Sequence, residues 1–184
     1  MALRCACVRQ SLQRWRRRSP DSPSCTPIIR VLCDWAKKAF TNTSLFPDVN
    51  VWLALVHEIH PHHGPAAAWG ESLHDDSPVC FCRFTQLGLL RLLTNRSAMG
   101  ADVLTQAEAW EAFDLLLANS RNLLLDEPAG IDPPFRRHTN RREVSTKQWA
   151  DGYLTAFAEA ADLTLVTFDR ALAGKARGAV LLSA

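Results

Sequence analysis

The stretch "STKQWADGYLTAFAEAADLTLVTFD", residues 145–169, predicts a helix, a buried strand and an acidic residue, in that order. Ser145 or Thr146 can cap a helix whose apolar residues recur at helical spacing. The run "LTLVTF" that follows is short, apolar and partly β-branched, which is typical of a strand buried on both faces. Asp169 stands directly after this strand. This order is that of one repeating unit of an α/β fold.

The same alternation continues on both sides of this stretch from residue 45 onward. Further strands are predicted at "SLF", "PVCFCRF", "RNLLLDEP" and "AVLLS". Helices are predicted at "VNVWLALVHEIH", with Val51, Leu55 and Ile59 on one face, at "AAAWGESLH" and at "TQLGLLRLLTN", with Thr85 as its cap. A fourth predicted helix, "LTQAEAWEAFDLLLANS", begins with a capping box of Thr105 and Glu108. Strands that alternate with helices predict an α/β fold with a mainly parallel sheet covered on both faces.

Size and composition predict one soluble globular domain. The 184 residues suffice for a sizeable core, and 47% hydrophobic content is ordinary for a globular protein. No apolar run approaches the roughly 18 to 20 residues that a membrane span requires. Of the six cysteines, Cys80 and Cys82 alternate in the apolar run "VCFCRF", and buried free thiols are expected there rather than a disulfide or a metal pair. A reducing cytoplasm is the compartment that this cysteine usage favours.

The charge divides the chain into two unlike parts. Residues 1–44 carry nine Lys/Arg and two Asp/Glu, whereas residues 45–184 carry twelve and seventeen. The first part lacks sustained periodicity and contains the break "RRRSPDSPSCTP", so we expect a basic, poorly ordered extension outside the fold. An organellar transit peptide and a nucleic-acid-binding arm are the alternatives for this segment. Residues 45–184 are predicted to form the functional domain.

Three aspartates are predicted to converge at one edge of the sheet. Asp48 follows the first strand, Asp169 follows the fourth, and Asp151 lies in the first turns of the preceding helix. In open α/β sheets, ligands bind at the carboxyl ends of the strands, where these positions lie. Converging carboxylates repel one another, and a hard divalent cation such as Mg²⁺ relieves that conflict. Such an ion supports hydrolysis of a phosphodiester. The alternative for each aspartate is a helix cap or a surface charge.

Order and spacing of several segments give a resemblance to a known family. "FPDVNVWLAL", "HPHHGPAAAW", "CRFTQLGLLRLLTN" and "KQWADGYLTAFAEAADLTLVTFDRAL" together resemble the PIN-domain ribonucleases of the VapC toxin family over roughly residues 45–172. The resemblance implies a small α/β/α sandwich that cuts RNA with Mg²⁺ or Mn²⁺. It also implies a homodimer that is inhibited by a cognate antitoxin protein. A tRNA or another structured RNA is the substrate that we expect.

The resemblance also implies roles for particular residues. Asp48 matches the first acid of the family's metal site, with Asn50 beside it as a hydrogen-bonding residue that shapes the site. Asp151 matches the acid that begins the late helix, and Asp169 matches the acid after the fourth strand. Thr167 is expected to form a hydrogen bond within the same site.

Gln86 departs from the family pattern, which has a glutamate at this place. Glutamine keeps an oxygen ligand but lacks the negative charge, so it attracts a metal ion less strongly. This departure leaves a second hypothesis open, a non-catalytic RNA-binding protein that kept the fold. A third, a phosphohydrolase of the haloacid-dehalogenase type, ranks lower because "DVNVW" has Asn50 where that class needs a second aspartate.

A basic stretch lies directly upstream of Asp151. The segment "PPFRRHTNRREVSTK" is predicted to bind RNA because cations near the cut attract the phosphate backbone. The alternative is a solvated loop. Its basic residues are Arg136, Arg137, Arg141, Arg142 and Lys147.

The histidines and tryptophans of the globular part are expected to have structural or auxiliary roles. The run "HEIHPHH" invites a zinc hypothesis, but Pro61 interrupts any recognised ligand spacing, so hydrogen bonding at the rim or contact with RNA phosphates is favoured. Packing in the core or at an interface accounts for the tryptophans, and stacking of one of them, Trp149, on an unpaired base is the alternative. The tryptophans in the globular part are Trp52, Trp69, Trp110 and Trp149.

Overall fold

Parallel strands form the centre of the computed structural model, which describes residues 44–74 and 77–183. Within these ranges the sheet has the order β3-β2-β1-β4-β5, and every neighbouring pair is parallel. The predicted parallel α/β sheet is confirmed. The predicted N-terminal extension, with its four cysteines, lies outside the described residues except for Ser44. The strands are β1 (Leu45–Pro47), β2 (Val79–Cys82), β3 (Asn122–Leu125), β4 (Thr164–Thr167) and β5 (Val180–Leu181).

Helices connect the strands. A short 3₁₀ turn, Gly100–Asp102, joins the fourth and fifth of them. None of the described helices is long and apolar enough to cross a membrane. The helices are α1 (Val49–Val56), α2 (His63–Ser72), α3 (Arg83–Leu93), α4 (Arg96–Met99), α5 (Gln106–Leu117), α6 (Asp132–Thr139), α7 (Lys147–Ala160) and α8 (Arg170–Ala173).

The two faces of the sheet bury two separate cores. On β2, Val79 and Phe81 belong to a core with α1, α2, α3 and α5, whereas Cys80 and Cys82 belong to a core with α7. Trp52 stacks on Phe81 in the first core with ring centroids 3.7 Å apart. This alternation places the sheet between two helical layers, which is the three-layer α/β/α sandwich.

Cys80 and Cys82 are buried free thiols, as the sequence predicts. Burial raises the pKa of Cys80 to about 12. The thiol therefore stays protonated and unreactive at neutral pH.

Two helix boundaries differ from the prediction. Helix α1 ends at Val56, and Ile59 is 68% exposed instead of continuing the buried face. His57 is extended, and Pro61, which has no N–H and disfavours helical backbone at the residue before it, follows shortly after. Thr85 is not the cap of α3, because the helix begins two residues earlier. Cys82 is the N-cap, and its backbone N–H donates to the Thr85 hydroxyl at 3.0 Å.

The topology creates a crevice at the carboxyl ends of β1 and β4. From β1 the chain proceeds to β2 and β3 on one side, and it then returns to β4 on the other side. The connections therefore diverge between β1 and β4, which is where open α/β sheets bind ligands. Pro47 pairs with Val166 in this register, so the residues that follow both strands lie beside each other.

Candidate active site

Asp48 is held rigidly at the end of β1. Its Oδ1 accepts from the backbone N–H of Val51 at 2.9 Å, which makes it the N-cap of α1. Its Oδ2 accepts from the Thr167 hydroxyl at 2.5 Å. The residue is only 4% exposed, and this burial raises the pKa of the carboxyl, although the hydrogen bonds oppose the shift and the charge of Asp169 adds to it. The fold thus imposes a cost on ionising Asp48 that a bound cation would offset.

Thr167 connects Asp48 with Asp169 at the crevice between the ends of β1 and β4. Its hydroxyl donates to Asp48 and accepts from the backbone N–H of Asp169 at 2.9 Å. Asp169 in turn caps α8, since its Oδ1 accepts from the N–H groups of Ala171 and Leu172 at 2.7 and 3.2 Å. Lys147 donates to its Oδ2 and, as the largest influence, lowers the pKa of Asp169. The Thr167 hydroxyl therefore links the Asp48 carboxylate to the backbone of Asp169.

Asp151, on α7, is contacted by two lysines, one of which links it to this group of side chains. Its Oδ2 accepts from Lys175 Nζ at 2.8 Å and lies 3.8 Å from Lys147 Nζ. Lys147 also bonds to Asp169, so one ammonium group bridges two of the predicted acids. The three aspartates therefore share one charged cluster, linked through Thr167 and Lys147.

The donor set fits a hard divalent cation. Carboxylate oxygens are the ligands that Mg²⁺ and Mn²⁺ prefer. As the side chains stand, the described residues contain no group of three His, Cys, Asp or Glu side chains arranged to hold a metal ion. Lysine ammonium groups instead supply the positive charge at Asp151 and Asp169. The ammonium groups of Lys147 and Lys175 thus occupy positions at the carboxylates where a metal ion would otherwise supply the positive charge.

The buried position of Asp48 has a testable pH dependence. A carboxyl with a raised folded-state pKa contributes stability below its unfolded pKa and loses it as the pH rises through the folded value. An Asp48→Asn variant carries no charge there at any pH. We expect its thermal midpoint to exceed that of the wild type at about pH 7, and the difference to shrink as the pH falls towards about 4. A difference that stays constant in calorimetric scans over this range would contradict the raised pKa.

The side chains of Gln86 and Asn50 have no hydrogen bond to the three aspartates in the described part of the chain. Gln86 is 3% exposed in the first turn of α3, and its Oε1 accepts from Arg83 at 2.5 Å. Arg83 therefore brings a positive charge to the position where the family has a glutamate. Asn50 is exposed, and its backbone N–H is the group that influences Asp48.

The predicted RNA-binding arginines lie on α6 and the segment after it. The alternative of a solvated loop does not hold for Asp132–Thr139, which is helical, with prolines in the first turn where a missing N–H costs nothing. Arg137 pairs with Glu159, so its charge is partly compensated. Lys147, which was predicted to bind RNA together with these arginines, is bonded to Asp169 and so belongs to the aspartate cluster. The exposed arginines are Arg136, Arg137, Arg141 and Arg142.

The histidines of the turn after α1 contact different partners, and His60 and His62 also lie close together, with ring centroids 5.6 Å apart. His57 is buried with its Nε2 3.4 Å from Asp102, and His63 Nδ1 lies 2.7 Å from the carbonyl of Ala54. His62 stacks on Phe168 with ring centroids 4.6 Å apart. The described residues at this turn contain no group of three His, Cys, Asp or Glu side chains arranged to hold a metal ion.

Lys175, Arg83 and the exposure of Trp149 were not predicted. Lys175 lies just after α8, the short helix that follows β4. Its position in the sequence does not show that its side chain reaches Asp151; the fold does. Trp52 packs in the core, whereas Trp110 and Trp149 are 48% and 60% exposed, so that for these two packing at an interface stays a prediction.

Comparison with known proteins defines the class of this fold and site. The family model of the PIN domain matches residues 45–178. Ribonuclease VapC41 of Mycobacterium tuberculosis, in strains CDC 1551 and H37Rv, is 41% identical over 131 residues, which cover 69% of this chain and 90% of the relative. The crystal structure of M. tuberculosis VapC20, described as a Sarcin-Ricin loop cleaving toxin, superimposes with a TM-score of 0.52 at 19% identity. It covers 71% of this chain and 94% of VapC20, and it supports the fold alone.

The chain belongs to the PIN-domain family. Within that family, its similarity to VapC41 places it among the VapC ribonucleases. The resemblance that the sequence segments indicated is confirmed.

Proposed function

We propose that this protein is the toxin of a toxin–antitoxin pair and acts as a metal-dependent endoribonuclease that hydrolyses phosphodiester bonds in cellular RNA. The observation that carries the proposal is the cluster of Asp48, Asp151 and Asp169 at the divergence of β1 and β4, in a chain of the VapC family. The similarity to a ribonuclease favours cutting over the non-catalytic RNA-binding alternative that Gln86 suggested.

The three aspartates would hold Mg²⁺ or Mn²⁺. When bound, such an ion activates a water and offsets charge that develops on the phosphate. Thr167 orients Asp48 through its hydroxyl, and the cap of α1 fixes the other carboxylate oxygen. Asp169 is kept ionised by Lys147 and by two backbone N–H groups. The chain therefore presents its acids in fixed orientations before any substrate arrives.

The lysines have a second role when RNA enters. Lys147 is mostly exposed, and its long side chain can turn from Asp169 towards a phosphate. Lys175 is anchored between Gln148 and Asp151, at 3.0 and 2.8 Å, and positions positive charge beside the scissile bond. Around them, four exposed arginines attract the flanking phosphates: Arg136, Arg137, Arg141 and Arg142.

Membership of the family supports further proposals about partners and domain organisation. A cognate antitoxin inhibits the nuclease, the protein forms a homodimer, and the substrate is a tRNA or another structured RNA. Residues 45–184 constitute the nuclease domain, and residues 1–44 are a basic extension outside it. The cytoplasm is the compartment in which such a pair would act.

The charge of Lys147 competes with a metal ion for the acids. A Lys147→Met variant is expected to bind Mn²⁺ about fivefold more tightly in the absence of RNA, because one positive charge beside two carboxylates is removed. The same variant is expected to bind RNA more weakly. Titration calorimetry with Mn²⁺ measures the first effect, and Lys147→Arg is the control that keeps the charge. Equal Mn²⁺ affinity in both variants and the wild type would show that Lys147 does not compete.

The direct test is incubation of the purified protein with total cellular RNA in Mg²⁺, in Mn²⁺ and in EDTA. Discrete cuts that depend on the metal are expected, and sequencing of the new ends identifies the target. Purification must remove any bound antitoxin, since an inhibited complex would not cut. Complete absence of cutting by folded, antitoxin-free protein would overturn the proposal.

A further inference from the structure

A cavity beside the aspartate cluster is not used by the proposed cleavage chemistry. It has a volume of about 690 Å³ and lies between α6, α7 and the segment that joins them. We infer that this cavity binds an unpaired nucleobase of the RNA, a few nucleotides from the scissile phosphate. The inference rests on the proposed ribonuclease function and specifies the single-stranded character of the substrate near the cut.

One wall of the cavity consists of aromatic side chains that are exposed to solvent. Phe135 from α6 and Trp149 from α7 line it, with ring centroids 6.2 Å apart and planes inclined by 59°. Trp149 is mostly exposed, and Val144 beside it is fully exposed. Exposed apolar groups clustered at a concave site mark a binding surface. Aromatic faces are the surfaces on which unpaired bases stack.

Charged groups at the cavity fit a nucleotide. Arg136 and Arg141 line it, and within the described residues neither forms an ion pair with a carboxylate. Arg141 Nε donates only weakly, to the carbonyl of His138 at 3.5 Å. Asp132 and Glu143 also line the cavity, and their carboxylates can accept from the amino groups of bases. Cations for the phosphates and acceptors for the base edge are thus present together.

Gln148 connects the cavity with the aspartate cluster. It lines the cavity, its Nε2 donates to the carbonyl of His138 at 3.0 Å, and its Oε1 accepts from Lys175 at 3.0 Å. Lys175 also donates to Asp151. Trp149 and Asp151 are two residues apart on a helix of about 10 Å diameter. Their side chains leave α7 on different sides, so a strand whose phosphate lies at the acids reaches the cavity by passing around α7 along Lys175 and Gln148.

A nucleic acid fits this surface better than a protein segment. An antitoxin segment or a second copy of the chain could cover Trp149 and Val144. Neither would by itself account for Arg136 and Arg141, which have no carboxylate partner among the described residues and lie near the acids of the proposed nuclease.

The test compares Trp149→Ala with Trp110→Ala, a substitution of another exposed tryptophan, on α5 far from this cavity in the chain. Binding of a fluorescein-labelled short single-stranded RNA is measured by anisotropy in EDTA, so that no cleavage occurs. Trp149→Ala is expected to weaken binding by about five- to a hundredfold, whereas Trp110→Ala is not. Trp149→Phe keeps an aromatic face and is expected to retain most of the affinity. A duplex of the same length, whose bases are stacked, should bind all variants equally.

Equal RNA binding by the two alanine variants would overturn the inference. So would a change of oligomeric state in Trp149→Ala, measured by light scattering, without loss of RNA affinity, since the surface would then be a protein interface. The Asp48→Asn variant separates the two proposals, because it should bind this RNA normally but not cut it. RNA cutting that survives in Asp48→Asn would refute the assigned acids while the effect of Trp149 on binding still decides the role of the cavity.

Discussion

Replacing Asp48 with asparagine is expected to lower metal-dependent RNA cleavage by a factor on the order of 10² to 10³. Asp48 is the acid that the fold fixes most firmly, with one oxygen on the cap of α1 and the other on Thr167. The substitution removes the negative charge that would hold a cation beside the scissile phosphate. Initial rates on the identified RNA target, with Mn²⁺ titrated in parallel, measure the effect.

The variant should keep the fold, which makes the loss of activity interpretable. Asparagine caps helices as well as aspartate does, so its Oδ1 can still accept from Val51. Its amide N–H₂ can donate to the Thr167 hydroxyl, which retains a lone pair although it already accepts from Asp169. Asp114→Asn, an exposed change on α5, is the matched control and should cleave normally. Cleavage at the wild-type rate by Asp48→Asn would remove this residue from the reaction.

The positions of the three aspartates could be predicted because each is tied to the end of a regular element. A carboxylate after a buried strand, or in the first turns of a helix of an α/β fold, has its place set by backbone topology. Asp48, Asp151 and Asp169 therefore came together although they are far apart in the sequence. Hydrophobic periodicity was sufficient for this step.

Side chains that reach the cluster from elsewhere could not be predicted in the same way. Lys175 and Arg83 act through long, flexible side chains whose targets depend on packing, not on the period of the sequence. The exposure of Trp149 depends on whether α6 covers it, and α6 itself was not among the predicted helices. Helical spacing gives the face of a residue but not the neighbour that faces it.

Close packing of α6 against α7 is the feature that sets the position of Asp151. Gly152 is the next residue on α7, and a Cβ built there would lie 2.3 Å from the γ-methyl of Thr139. Thr139 cannot easily turn aside, since its hydroxyl donates to the carbonyl of Phe135 at 2.7 Å and its χ1 is restricted by branching. The absence of a side chain at Gly152 is therefore what allows the two helices to approach.

A Gly152→Ala variant is accordingly expected to lose about 1 to 3 kcal/mol of unfolding free energy, because the helices must separate to admit one methyl group. Cleavage should fall as well, since Asp151 moves with α7. Urea denaturation measures the stability, and Gly64→Ala, where a Cβ meets nothing within 4 Å, is the control that should lose none.

Thr139→Ser provides the rescue, because it deletes the clashing methyl group and keeps the hydroxyl that bonds to Phe135. In the double variant the new Cβ at position 152 meets only ordinary contacts, at 3.6 and 3.7 Å from His138. Stability and cleavage should both return towards wild-type values relative to Gly152→Ala alone. If Thr139→Ser fails to restore them, the loss arises from the backbone of α7 itself, and the contact between Thr139 and Gly152 does not position Asp151.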